Sequence, residues 1–341
     1  DRHGVIPLDR LASARAQAER MPAFSLSRGS SKQRASSVDL GGWTSLGPDN
    51  VGGRSRSILI HPANPDVMYA AATTGGVFKS TDGGRQWFPI ADFLATLGIG
   101  AMTFDPSNPD VIYVGTGFWY NSLSQSNVFG SAPRGVGVYR SADAGATWTL
   151  LPSPEGNAFR YINQVVVSPR NPEHLYVASW TGIYASSDGG SNWTQTLSPR
   201  GSTTGCQSLV IRPDTIADVL FAACGFFANE PAAGIYRNQD ASGAGSWQLV
   251  HQPRGMSNTS LAIAPSNPAI IYALSASNDT NRTNYLNGLL GVYRSSQNGD
   301  PGTWEGRTTN ENRSAQNTAL LSNNQGFYRD VCFGLNRQYA N

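Results

Sequence analysis

The sequence predicts an all-β protein, a β-propeller of four-stranded antiparallel blades, and three observations carry that prediction. An eight-residue turn motif, Ser80-Thr81-Asp82-Gly83-Gly84-Arg85-Gln86-Trp87, returns at four further places. Between its copies, an apolar strand, a Pro/Asn turn and a second apolar strand ending in an aromatic residue recur in the same order. Glycine (37 of 341 residues) and proline (20) are abundant and only 14% of residues are charged, as short strands joined by many turns require. A unit of roughly 45 to 60 residues marks a repeat architecture, in which each blade buries its faces only against its neighbours.

The octet is a turn closed by a ring. Its Asp accepts hydrogen bonds from the backbone amides that follow, its Gly supplies the backbone angle of a tight reversal, and its Trp enters the next strand and packs back on the turn. Close copies are Ser141-Ala142-Asp143-Ala144-Gly145-Ala146-Thr147-Trp148 and Ser186-Ser187-Asp188-Gly189-Gly190-Ser191-Asn192-Trp193. Looser copies run from Asn238-Gln239-Asp240 to Trp247 and from Ser295-Ser296-Gln297-Asn298-Gly299 to Trp304. The motif resembles the Asp box, or BNR repeat, of sialidases, sortilin-type receptors and the xyloglucanase group of glycoside hydrolases. That resemblance implies a structural staple remote from any active site, so Asp82, Asp143 and Asp188, with Trp87, Trp148 and Trp193, are expected to hold turns rather than to catalyse.

In chain order, residues 1–40 stand apart. Leu8, Leu11, Ala14 and Ala18 fall at helical spacing and predict a short amphipathic helix over Leu8 to Met21, followed by a Ser/Arg-rich extended connector. Residues 41–341 form the propeller. Trp43-Thr44-Ser45-Leu46 reads like the strand that follows each octet but has no octet before it, as expected of an outer strand that completes the closing blade. Five complete blades follow, at about 52–92, 98–153, 160–199, 205–253 and 258–308. Their first turns are centred on Pro62, Pro106, Pro169, Pro213 and Pro265, and their second strands end in Tyr69, Tyr113, Tyr176, Phe221 and Tyr272. Residues 325–341 make a partial sixth blade, with Gly326 to Phe333 as its inner strand. The remainder of the ring is expected from a second polypeptide or from a missing C-terminal portion, because an open arc exposes sheet faces and edges.

Three cysteines permit one disulfide. Cys206 and Cys224 flank the Pro213 to Asp218 turn almost symmetrically, which would place them opposite or almost opposite on neighbouring antiparallel strands, close enough for a bridge if the register is right. Cys332, within Val331-Cys332-Phe333, reads as a buried thiol. No Cys/His cluster has metal-ligand spacing, and neither a metal nor a cofactor is expected. The net charge of +2 does not argue for nucleic acid, and no apolar run reaches membrane-spanning length. The chain opens at Asp1 without Met, which reads as a processed chain of a secreted or periplasmic protein.

Functional candidates come from the loops between second and third strands, on the face opposite the octet turns. These loops are long in the second, fourth and fifth blades. The second carries Trp119 and Tyr120, the fourth Phe226, Phe227, Asn229 and Glu230, and the fifth Asp279, Arg282 and Tyr285. The third blade adds Trp180 in a short turn. Aromatic rings stack on the apolar faces of sugars and amides read hydroxyls or peptide groups, so this surface suits a glycan or peptide ligand. Arg54, at the start of the first inner strand, points either into the channel toward a carboxylate or to a neighbouring blade.

The segment Gly47-Pro48-Asp49-Asn50-Val51-Gly52-Gly53-Arg54, with Trp43 before it, is similar to the entry of bacterial secreted propellers of the sortilin-like and xyloglucanase-like groups. The resemblance covers residues 43–333. It implies a secreted module that binds a glycan, peptide or partner protein on its long-loop face, or alternatively an extracellular glycoside hydrolase of the xyloglucanase-like group. For the xyloglucanase group it implies an Asp beside the Gly-Gly ahead of the first blade's third strand, yet this chain reads Thr73-Thr74-Gly75-Gly76. Hydrolysis needs two carboxyl groups across a cleft. The candidates on or near the loop face are Glu230, Asp279, Glu155 and Asp330, with Glu230 and Asp279 as the first pair.

Overall fold

The computed structural model describes residues 54–117, 133–199, 205–225, 233–277 and 289–309. They form five four-stranded antiparallel sheets, in each of which spatial order equals chain order. The first contains β1 (Ser55–Ile60), β2 (Met68–Ala72), β3 (Gly76–Ser80) and β4 (Phe88–Pro89), and the second β5 (Ile99–Asp105), β6 (Asn108–Thr116), β7 (Val138–Ser141) and β8 (Thr149–Leu150). The third contains β9 (Ile162–Val167), β10 (Leu175–Ser179), β11 (Gly182–Ser186) and β12 (Thr194–Leu197). The fourth contains β13 (Cys206–Ile211), β14 (Leu220–Cys224), β15 (Gly234–Asn238) and β16 (Trp247–His251), and the fifth β17 (Met256–Ile263), β18 (Ile271–Ser277), β19 (Leu289–Ser295) and β20 (Trp304–Thr309). The first strand of each sheet packs beside the first strand of the next, from β1 through β5, β9 and β13 to β17. Sheets stepped in this way are the blades of a β-propeller.

Two compact units divide the chain, Asp1–Arg54 and Ser55–Asn341, and the twenty strands among the described residues belong to the second. The predicted helix, the connector, the Trp43 strand and the Gly326 to Phe333 strand lie outside the described residues. Sequence spacing and structure differ in two details. The first inner strand starts at Ser55, so Arg54 precedes it. Trp87, Trp148 and Trp193 stand just ahead of their fourth strands, because each indole turns back on the octet or across to the preceding blade.

The core lies in the seams between blades. Tyr69, Tyr113, Tyr176 and Phe221 occupy one equivalent position on the second strands, each opposite a third-strand partner: Lys79, Arg140, Ala185 and Arg237. Each aromatic packs under the inner strand of the following blade, Tyr69 with Met102, Tyr113 with Val165, Tyr176 with Leu209 and Phe221 with Leu261. Burying a side chain of this size is worth about 1.5–3 kcal/mol, which makes these rings the main fasteners between sheets.

The octets add a polar latch. In the first three blades the Ser hydroxyl donates to the Asp at 2.8 Å and accepts the amide two residues beyond the Asp at 2.8–2.9 Å. The same Asp accepts the amide four residues on, at 2.8–2.9 Å. Two of the Trp rings then reach backward, Trp148 Nε1 to the Ile90 carbonyl and Trp193 Nε1 to the Pro152 carbonyl, both at 3.0 Å. The looser copies keep part of the pattern: Ser295 accepts the Gly299 amide, and Asn238 takes the place of the Ser by accepting the Asp240 amide. Cations complete the latch from the other side. Lys79 Nζ donates to the Ala144 carbonyl and Arg237 to the Asn298 carbonyl, so each grips the turn of the next blade at the same residue of the octet.

Two further contacts bind the middle blades. Cys206 and Cys224 face each other in register and are joined by a disulfide. The buried carboxylate of Asp218 accepts Ser168 Oγ and Tyr176 Oη, each at 2.7 Å, with His174 Nδ1 at 3.5 Å. A carboxylate this deep is tolerated because donors from the neighbouring blade surround it. Burial, reinforced by the bond to Asp218, holds the Tyr176 phenol far above its ordinary range.

The octet geometry predicts opposite effects for neighbouring substitutions. Ala144 holds the left-handed conformation (φ 56°) that glycine holds in other copies, whereas Gly145 (φ 88°) would place a Cβ 2.5 Å from Ile90 Cδ1. Ala144→Gly is expected to stabilise the protein by up to about 1 kcal/mol, and Gly145→Ala to destabilise it by about 1–3 kcal/mol, read by denaturant unfolding.

A second prediction concerns pH. His251 lies between blades, stacked on Trp304 at 5.2 Å and edge-on to Tyr293 at 4.7 Å, and its buried Nε2 has no hydrogen-bond partner. Desolvation lowers its pKa from 6.5 to about 4. The unfolded chain therefore binds the extra proton first, so the stabilisation is complete above about pH 6.5 and is lost as the pH falls toward 4. Thermal unfolding across this interval should show a decline in the native chain that is smaller in His251→Phe.

Candidate functional site

An antiparallel meander sends its first and third connections to one face and its second connection, with the link to the next blade, to the other. The octet turns occupy the first face. There Asp143 and Asp188 are held at a pKa of about 2, chiefly by hydrogen bonds from the side chains of Thr147 and Asn192, and Asp82 is lowered mainly by the Gln86 amide. A general acid needs a carboxyl that keeps its proton near neutral pH, and these carboxylates are tuned the other way.

The opposite face is stitched by backbone hydrogen bonds between loops. Gly117 donates to the Gly98 carbonyl at 2.8 Å, Gly135 to Arg160 at 2.7 Å, Trp180 to Tyr161 at 3.2 Å and Gly225 to Gly205 at 2.9 Å. These approaches need glycine: a Cβ on Gly117 would sit 2.2 Å from the Arg160 carbonyl oxygen. The outcome is a fixed rim across the second, third and fourth blades.

Trp180 is mounted on this rim. It occupies the short turn between β10 and β11, and its Nε1 donates to the Asn157 carbonyl at 2.8 Å. Its ring meets the buried Tyr161 edge-on at 5.6 Å and 89°. The next residue, Thr181, is braced by Ser179 Oγ at 3.0 Å, Tyr184 Oη at 3.1 Å and the Gln195 amide at 2.8 Å. An indole held this way, partly exposed, is a preorganised flat apolar surface. Tyr161 and Asn157 were not legible as site residues, since their relation to Trp180 exists only once the linker ahead of β9 folds back over the β10–β11 turn.

Among the described residues, the connections on this face carry two acids, Asp92 and Glu155, both exposed. Arg54 is exposed as well. Trp119, Tyr120, Phe226, Phe227, Asn229, Glu230, Asp279, Arg282, Tyr285 and Asp330 lie outside the described residues. No group of three His, Cys, Asp or Glu side chains among the described residues is arranged to hold a metal ion. No helix among them is long and apolar enough to cross a membrane.

No protein-family model matches the chain. A xyloglucanase of Paenibacillus sp is 29% identical over 144 residues, 39% of this chain and 13% of that protein. An oligoxyloglucan-reducing end-specific xyloglucanase of Emericella nidulans is 28% identical over 108 residues, 30% of this chain and 12% of that protein. The crystal structure of the GH74 enzyme of Niastella koreensis superposes with a TM-score of 0.56 at 19% identity. The structural likeness is one of fold. It covers 76% of this chain and 38% of the solved enzyme, so the β-propeller described here corresponds to a minor part of that molecule.

Proposed function

We propose that this chain is the glycan-engaging part of a secreted, xyloglucanase-like β-propeller glycoside hydrolase, and that polysaccharide lies along the face carrying Trp180. The observation that carries the reading is the similarity to two xyloglucanases. The rigid Trp180 platform agrees with it, since a glucan backbone offers alternating apolar ring faces and hydroxyls. In this reading Trp119, Tyr120, Phe226, Phe227 and Tyr285 add stacking surface, and Arg54, Asn229 and Arg282 bond hydroxyls. Glu230 and Asp279 supply the two carboxyl groups, one protonating the glycosidic oxygen and the other serving as base or nucleophile. The octets act as Asp boxes, holding turns on the far face.

A second reading, glycan binding without hydrolysis, is favoured by one observation. The turn Thr73-Thr74-Gly75-Gly76 carries no acid where the xyloglucanase resemblance places one.

Affinity electrophoresis in xyloglucan and reducing-sugar release separate the readings. The native chain should be retarded by xyloglucan, and Trp180→Ala should weaken binding about tenfold, the loss of one stacked ring, at a temperature where circular dichroism shows the variant fully folded. Glu230→Gln and Asp279→Asn should abolish sugar release without loss of retardation. Retardation with no sugar release from the native chain selects the binding reading, and absence of both overturns the two together.

A further inference from the structure

Four seams between blades repeat one arrangement, and a further sheet face presents the same residues with no described residue packed over them. In each seam the second-strand aromatic lies under two alternate residues of the next inner strand. The pairs are Met102 and Phe104 over Tyr69, Val165 and Val167 over Tyr113, Leu209 and Ile211 over Tyr176, and Leu261 and Ile263 over Phe221. Those four aromatics are 0%, 3%, 1% and 0% exposed.

Tyr272 occupies the equivalent place in β18. It pairs with Arg294, as Phe221 pairs with Arg237 and Tyr69 with Lys79. Yet Tyr272 is 38% exposed, and Leu274, two residues along on the same face, is 39% exposed. A polar surface position would not need an aromatic there. The repeat has built the lower half of a fifth seam.

The upper half is legible in the same chain. Every covering pair reads apolar, any residue, apolar, and stands immediately before the turn that ends its inner strand: Met102-Thr103-Phe104, Val165-Val166-Val167, Leu209-Val210-Ile211 and Leu261-Ala262-Ile263. Val331-Cys332-Phe333 has the same form, followed by Gly334-Leu335-Asn336. We infer that residues 328–333 dock along the outer face of the fifth blade, with Val331 and Phe333 covering Tyr272. In that register Cys332 takes the place of Thr103, Val166, Val210 and Ala262 and faces away from Tyr272. The surface thus takes a segment of this chain, by the packing that joins the other blades, and the inference does not depend on the proposed enzymatic activity.

Nitration by tetranitromethane, followed by peptide mass mapping, reads the cover on Tyr272 directly. In the native chain Tyr272 should resist nitration as Tyr69 does. Val331→Asp and Phe333→Asp should make Tyr272 reactive while Tyr69 stays protected, and Cys332→Asp should change neither. If Tyr69 also becomes reactive in the Asp variants, the milder Phe333→Ala replaces them, and selective exposure of Tyr272 is still required. Free nitration of Tyr272 in the native chain, or equal rates in the Val331, Cys332 and Phe333 variants, would overturn the assignment.

Discussion

The aromatic residue buried in each seam is the constraint on which the rest of the structure depends. A four-stranded blade is too thin to hold a core of its own, and both its faces must be covered by neighbours. Tyr69, Tyr113, Tyr176 and Phe221 meet that need by projecting from the second strand beneath the next inner strand. Because the ring sits at one fixed register, it also sets how far each blade is displaced along its neighbour. Loop positions on the outer faces follow from that displacement.

The octets govern orientation more than cohesion. Their hydrogen bonds are short, with the Ser-centred ones buried or half-buried and the Asp bonds to the amide four residues on exposed, so each contributes modestly, but together they fix where the Trp points and which carbonyl the preceding blade's cation can reach. The strongest octets have Ser, Asp and Gly in place. Where Asn238 or Gln297 breaks the motif, the turn survives through substitute bonds, from Asn238 Nδ2 to the Gly245 carbonyl and between Ser295 and Thr303. The seam beside the fourth blade gains a stronger latch, the ion pair between the buried Arg237 and Asp300. Loss of motif in one blade therefore coincides with a charge-assisted contact across the seam.

The two faces of the propeller divide the chemistry. One gathers carboxylates and depresses their pKa values with hydrogen bonds, which leaves them as acceptors and removes them as acids. The other is drawn together by glycine-mediated backbone contacts and presents Trp180 on a fixed mount. In the proposed glycan-engaging reading, rigidity on that face matters because a platform that is already ordered loses little entropy on stacking.

The repeat, the blade pattern and the pairing of Cys206 with Cys224 were legible in the sequence, because each rests on local spacing: octet to octet, turn to turn, and equal arms about one turn. The same locality explains why Trp180 was recognised as a loop aromatic while its partners were not. Asn157 and Tyr161 belong to the preceding linker, and no repeat position marks them, so only the folded chain brings them to the indole. The Asp218 cluster is a further case, since Ser168 and Tyr176 reach it across a seam from a neighbouring blade. Sequence periodicity determines what each blade is, through contacts between near neighbours in the chain. The tertiary structure decides what blades do to one another, because contacts between residues forty or more positions apart, such as Tyr176 with Asp218, leave no local pattern to read.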